Sequence, residues 1–362
     1  MLLGIEIGGT KLQLGVGRGE GSRLVALERL PVDADAGAEG ILHEIERSAG
    51  TLIAAHGVTA LGIGFGGPVD VTQGRVVKSH HVHGWDDFPL VEWCRDRWRL
   101  PVALENDCDA AGLAEARFGA GRGRNVVFYV TVGTGIGGGL IADGAIYRGS
   151  GAGAAEIGHL RPGLNAQEPD QTVESIASGW GIAAAAQARL AGGMSHAFGR
   201  ISAGLAAAGP DQVRQRLIEV EEANEASSGD LLERCGGRLD HLTAQMVAEA
   251  AAHGNQLARE VMARACQTLG WAIAQMITLV APEVVVIGGG VSLADEELFL
   301  TPVRKEVSRY VFPPFADRCR IERAALGEEV VVHGAIAVAN AASTKDEERS
   351  GQSTKDEVRS TK

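Results

Sequence analysis

Cysteine is scarce and unpaired in this chain of 362 residues: Cys94, Cys108, Cys235, Cys266 and Cys319 are far apart and odd in number. That excludes a disulfide framework and a four-cysteine metal knot, and it fits a reducing cytoplasm. Basic density is also missing. The net charge is −12, spread over scattered acids and bases, and no Lys/Arg stripe stands ready to neutralise a row of phosphates, so nucleic acid is not the expected partner. The opening Met1 to Thr10 is apolar but carries Glu6 and is followed by Lys11. It lacks the basic leader and cleavage site of a signal peptide, and folded structure is expected from the start. The most apolar later stretch, Trp271 to Gly290, is interrupted by Gln275, Pro282 and Glu283, which rules out an unbroken membrane span of about 20 residues.

With 45% hydrophobic residues the chain can bury a large core and divide into two lobes. Leu2 to Ile7, the turn Gly8-Gly9-Thr10 and Leu12 to Val16 predict a hairpin. The same grammar recurs at Asn125 to Val132, Gly133-Thr134-Gly135 and Ile136 to Ile141, with Asp143-Gly144 as the next turn. Between the hairpins, Gly40 to His56 has helical spacing, and Leu61 to Phe65 and Val102 to Leu104 predict strands. A continuous Ala-rich helical pattern runs from Leu242 to Val280, Pro282 ends it, and Val284 to Ile287 predicts a buried strand entering Gly288-Gly289-Gly290. The expected division is a first lobe over 1–122 and a second over 123–342. The second lobe carries an insertion at about 192–237, and a return of the final helix to the first lobe is left open. Residues 343–362 repeat a Ser-Thr-Lys-Asp-Glu pattern with almost nothing to bury, which predicts a solvated, disordered tail.

Three glycine turns after strands let backbone amides approach an anion closely, and the hydroxyls of Thr10 and Thr134 add donors. One such turn is usually only a hairpin; three in this arrangement predict a phosphate clamp. None matches the Gly-x-x-x-x-Gly-Lys-Ser/Thr loop, and neither strand-turn-strand site is followed directly by the helix of a dinucleotide fold. Glu105-Asn106-Asp107 falls where a strand ends and a helix begins. Helix capping explains such a motif by itself; next to a phosphate clamp, a cleft-facing carboxylate is the sharper expectation.

In chain order these motifs run Gly64-Phe65-Gly66-Gly67-Pro68, Gly84-Trp85, Glu105-Asn106-Asp107, Gly133 to Gly139, Glu156-Ile157-Gly158-His159, Glu174 with Ser178-Gly179, and Gly288-Gly289-Gly290. From Ile5 to about Asn340 the sequence resembles the ROK family of repressors and sugar kinases. The resemblance implies an α/β, two-lobed actin and hexokinase-like (ribonuclease H-like) ATPase fold, with mixed sheets flanked by helices. It further implies an ATP-dependent, glucokinase-like hexose kinase. Asn106, Asp107, Glu156, His159 and Glu174 would contact the sugar, and Asp107 would act as general base toward a hydroxyl, expected on carbon 6. Gly8, Gly9, Thr10, Lys11, Gly133, Thr134 and Gly135 would hold phosphates, Gly288, Gly289 and Gly290 would lie beside adenosine, and Mg2+ would offset charge. Singly, Glu156 is expected to be a surface acid, His159 a turn histidine and Glu174 a member of an exposed helix; only their joint order points to a site.

Three features depart from the family pattern. Glu6 stands where relatives commonly carry Asp, and is the candidate Mg2+ contact. His81, in His80-His81-Val82-His83, replaces a sugar-contacting Asn; these histidines lack a third ligand, so a loop or sugar contact is expected over a metal. Arg161 to Val173 contains no cysteine, so the zinc knot of many relatives is not expected. Only seven residues precede Gly8, which argues against a repressor's helix-turn-helix. The leading expectation is a hexose kinase using ATP, with polyphosphate an open alternative donor and N-acetylhexosamines, fructose or allose alternative acceptors. A catalytically impaired sugar sensor and an actin-like or chaperone ATPase are the competing classes. A homodimer is implied by the family.

Overall fold

A computed structural model of the chain describes residues 1–21, 23–79, 82–150, 153–163, 168–191 and 223–343. Two five-stranded sheets dominate it, and they repeat one plan. In the first, β1 (Leu2–Ile7), β2 (Lys11–Gly17) and β3 (Leu24–Pro31) form an antiparallel meander, while β4 (Ala60–Phe65) and β7 (Val102–Asn106) add in parallel beside β1, giving the order β3-β2-β1-β4-β7. In the second, β8 (Val126–Val132), β9 (Ile136–Ala142) and β10 (Ala145–Ile146) are the meander, and β11 (Val284–Gly288) and β12 (Arg320–Arg323) continue in parallel from β8, in the order β10-β9-β8-β11-β12. The small ribbon β5 (Val69–Asp70) and β6 (Arg75–Val76) stands apart.

The strands form where apolar residues run nearly unbroken, because both faces are covered. All six residues of β1, all six of β4 and all five of β11 are buried. Helix α1 (Gly37–His56) lays Ile41, Ile45, Ala49 and Leu52 on the first sheet. Trp85 of the Gly84-Trp85 motif fills this core edge-on to Phe65 at 5.2 Å and Phe88 at 5.4 Å. Helix α2 (Leu90–Trp98) leads into β7. In the second core α4 (Val173–Ala177), α5 (Gly179–Ala191), α6 (Ala244–Ala252), α7 (Gln256–Val280) and α8 (Leu300–Tyr310) pack together.

Two elements join the halves. Helix α3 (Asp107–Phe118) leaves β7 and packs on the second sheet: a Cβ at Gly112 would stand 3.1 Å from the Tyr129 side chain, and one at Gly139 would stand 2.7 Å from the Cys108 carbonyl oxygen. The C-terminal helix α9, residues 330–343, lies against the first sheet, where Val332, Ile336 and Ala339 bury Leu2 and Ala60. Its backbone comes so close that a Cβ at Gly62 would sit 1.8 Å from the Ala335 oxygen.

The structure departs from the sequence-based expectations at several boundaries. The helical stretch expected from Leu242 to Val280 is two helices, broken at His253-Gly254-Asn255: Gly254 has φ +97°, and the Asn255 side chain caps α7 by accepting from Ala258 N–H at 3.0 Å. Residues 223–234 at the end of the expected insertion are helical and seat Leu231 in the second core, joined by Cys235 just beyond, while 192–222 and 344–362 lie outside the described residues.

Candidate active site

The base candidate is set by a helix cap. β7 ends at Asn106, whose side chain accepts from the N–H groups of Cys108 (2.9 Å) and Asp109 (3.3 Å), so α3 starts at Asp107 with its carboxyl in the first turn. Capping and site are the same feature: Asn106 Nδ2 also donates to the Gly67 carbonyl at 3.1 Å, tying α3 to the Gly66-Gly67 turn after β4. A Cβ at Gly66 would stand 3.4 Å from Asp107 Oδ2 and 3.5 Å from Gly8 Cα, so the first glycine turn, the β4 turn and Asp107 converge. Asp107 is half-buried. Burial pushes its pKa up to about 6, the Cys108 thiol and N–H draw it back by hydrogen bonding, and Glu156 raises it.

Glu6 lies on β1, separated from β7 by β4, and is 6% exposed. Its Oε1 is 3.1 Å from Lys11 Nζ and its Oε2 accepts from Gln13 Nε2 at 3.0 Å, Gln13 being its direct partner across the β1–β2 ladder. Lys11 and Gln13 both donate onward to the Glu328 carbonyl at the foot of α9. The longer acid is thus accommodated by the hairpin itself. Burial raises the Glu6 pKa to about 7, against the pull of Lys11, and Asp107 and Glu328 add to the rise. Both Glu6 oxygens are engaged, so a Mg2+ ion that keeps several waters fits this corner only through those waters.

The second half-site comes from the segment after β10 and from α4. Glu156 and His159 bracket a single 3-10 turn, with His159 N–H donating to the Glu156 oxygen at 3.1 Å, and both side chains are exposed. Glycines hold this segment on β9: a Cβ at Gly138 would stand 2.3 Å from the Ala155 oxygen, and one at Gly158 would stand 2.1 Å from the Ile136 oxygen. Desolvation raises the Glu156 pKa, His159 lowers it and Glu174 raises it, which puts the three in one field. Glu174 is turned toward the second glycine turn: its Oε2 accepts the Ile136 N–H at 2.7 Å. Gly179 N–H donates to the Gly133 oxygen at 2.8 Å, so the α4–α5 junction clamps the Gly133-Thr134-Gly135 turn.

The third turn adjoins the second. Gly288 pairs with Thr131, and Gly289 at φ +85° approaches the Val132 backbone so closely that a Cβ would sit 2.5 Å from its oxygen; beside Gly290 the space is open. His83, by contrast, packs on Gly37 and places Nε2 3.2 Å from the Asp35 oxygen. His81 and His80 fall outside the described residues. An open groove of about 470 Å3 between β3 and α9, lined by Leu24, Ala26, Leu326, Glu329 and His333, includes none of the predicted site residues.

Over residues 2–342 the sequence matches the profile of the ROK family. The chain belongs to the ROK family. It is similar to the glucokinase of Streptomyces coelicolor, 30% identical over 344 residues that span 94% of this chain and 97% of that protein. It is also similar to the glucokinase of Thermotoga maritima, 28% identical over 337 residues, covering 93% and 96%. Among solved structures, a ROK family glucokinase from Streptomyces griseus in complex with glucose and AMPPNP superposes with a TM-score of 0.73 at 29% identity, over 94% of this chain and 99% of that one. The doubled sheet plan is accordingly the α/β actin and hexokinase-like fold of ROK sugar kinases.

Three charged residues outside the predicted site set, Glu105, Asp109 and Arg148, lie near Asp107. Glu105 is 2% exposed and forms an ion pair with Arg148, 43 positions away. Asp109 is 6% exposed and its Oδ1 has no hydrogen-bond partner. Burial raises its pKa to about 7, with Glu105 adding to the rise and Arg148 opposing it. Glu105 was visible in the Glu105-Asn106-Asp107 motif; nothing local in the sequence marks Arg148 as its partner. Among the described residues no helix is long and apolar enough to cross a membrane.

Proposed function

We propose that this ROK family member is an ATP-dependent hexose kinase acting on the hydroxyl of carbon 6, with glucose the first acceptor to test. Glucokinases are among the relatives that match this chain over nearly its full length, and the observation that supports a sugar phosphotransferase most here is the convergence of Asp107, the Gly66 turn and Gly8 at one point. In this reading the sugar lies between Asn106 and Asp107 on one side and Glu156, His159 and Glu174 on the other, with His81 an additional contact. Asp107 accepts the hydroxyl proton as the sugar oxygen attacks the terminal phosphorus; the bond from that phosphorus to the bridging oxygen breaks, and ADP leaves. Amides and hydroxyls at Gly8 to Thr10 and Gly133 to Gly135, with Lys11, hold phosphates, while Gly288 to Gly290 flank adenosine. Mg2+ would offset charge on the transferred group, with Glu6 contributing through water. Residues 1–122 and 123–342 act as the two lobes, with α9 returning from the second to pack on the first, and their approach excludes water. A cytoplasmic location and a homodimer complete the proposal.

A coupled assay of ADP release over glucose, fructose, mannose, allose and N-acetylated hexosamines separates the alternatives. Turnover that requires a sugar supports the kinase. Sugar-independent hydrolysis would indicate an ATPase, and saturable sugar binding without turnover a sensor.

A further inference from the structure

The segment carrying Glu156 and His159 has to be held from two directions if it is to face Asp107 reproducibly. Its downstream end is fixed on β9, where Gly138 of the strand receives the Ala155 carbonyl and Gly158 of the 3-10 turn receives the Ile136 carbonyl. Its upstream end leaves β10, the edge strand of the second sheet, and there Arg148 reaches across to Glu105 on β7 of the first sheet. Glu105 is the residue immediately before Asn106 and Asp107, so this contact joins the strand that delivers the proposed base to the loop that delivers the opposite half of the proposed sugar site.

Resting on the proposed sugar site, we infer that Arg148 is a positioning residue: by gripping Glu105, and through it the start of α3, it fixes the Glu156–His159 segment against Asp107. Glu105 is nearly inaccessible to water and an isolated buried carboxylate is costly, so removing the partly exposed Arg148 leaves Glu105 without its counter-charge. A second observation points the same way. Arg148 Nε and Asp109 Oδ1 are both buried and both lack a hydrogen-bond partner, and Arg148 acts on the Asp109 carboxyl electrostatically. The arginine therefore keeps a spare donor, and Asp109, the third residue of α3, a spare acceptor. The groups facing this cluster are Glu105 from β7, Asp107, Cys108 and Asp109 from α3, Glu156 from the sugar-facing segment and Glu6 from β1. Arg148 is the cation that pairs directly with Glu105, the β7 carboxylate two residues before α3 begins.

The test has one readout that needs no sugar and one that does. In Arg148→Met, amide hydrogen exchange should quicken at residues 154–160 and stay unchanged at the β1–β2 hairpin; in the double variant Glu105→Gln with Arg148→Met, the same acceleration should persist although Glu105 is no longer left as an unpaired charge. Binding of D-glucose, measured by calorimetry, should weaken by about tenfold in Arg148→Met and no further in the double variant, because both substitutions break one coupling. KM for ATP should stay within about twofold, since the phosphate turns are untouched, and Arg148→Lys should recover part of the glucose affinity. Unchanged exchange at 154–160 in both variants overturns the inference whatever the sugar proves to be. Wild-type protein that binds no sugar of the panel counts against the proposed function instead, and leaves the exchange result to decide the role of Arg148.

Discussion

At the scale of single residues, the site is a cluster of acids whose charges are managed by a few neighbours. Asp107 at about 6, and Glu6 and Asp109 at about 7, all stand above the ordinary carboxylate range because burial disfavours their charged forms. The sign of the consequence follows. The folded protein binds more protons than the unfolded chain between about pH 4 and pH 7, so stability from these groups is complete at the acid end and drains away as pH rises through 7. Asp109→Asn removes one contributor, and the fall in melting temperature between pH 5 and pH 8 should become shallower; an unchanged slope would show that Asp109 does not titrate with folding. Glu105, Asp109 and Arg148 were not recognisable as a unit from the sequence, because a motif displays neighbours along the chain and Arg148 arrives from the other sheet. Glu6 was recognisable as unusual, but its accommodation by Lys11 and Gln13 became visible only with the hairpin register.

At the scale of elements, what could be read from sequence was whatever local pattern controls. Both glycine-turn hairpins were legible, as was the Asp143-Gly144 turn, whose residues have φ +51° and +75° as a tight hairpin turn requires. The break between α6 and α7 was not, because Ala-rich periodicity runs through it and the deciding interactions are one left-handed glycine and one asparagine cap. Close backbone packing was equally hidden. Gly62 looks like any glycine in a strand, yet α9 crosses it with the Ala335 carbonyl where a methyl group would go. Gly62→Ala should therefore cost roughly 3 kcal/mol, read as a lower urea midpoint at unchanged slope. A loss under about 0.5 kcal/mol would mean that α9 does not seat on β4 this way.

At the scale of the whole molecule, one sheet plan used twice places two strand-turn-strand motifs, each with its own parallel pair of strands, and α3 and α9 tie the copies together. The doubling was legible in the recurrence of the hairpin; the tie was not, since it depends on which sheet each helix chooses. This architecture puts Asp107 in the field of Glu156, which in turn feels His159 and Glu174, and the functional proposal depends on these groups meeting across the cleft. The most direct test is glucose-dependent ADP release by Asp107→Asn beside its glucose affinity. The account predicts binding close to wild type with turnover slowed by at least about 100-fold, the scale of a lost general base. Turnover near the wild-type rate with binding intact would contradict it.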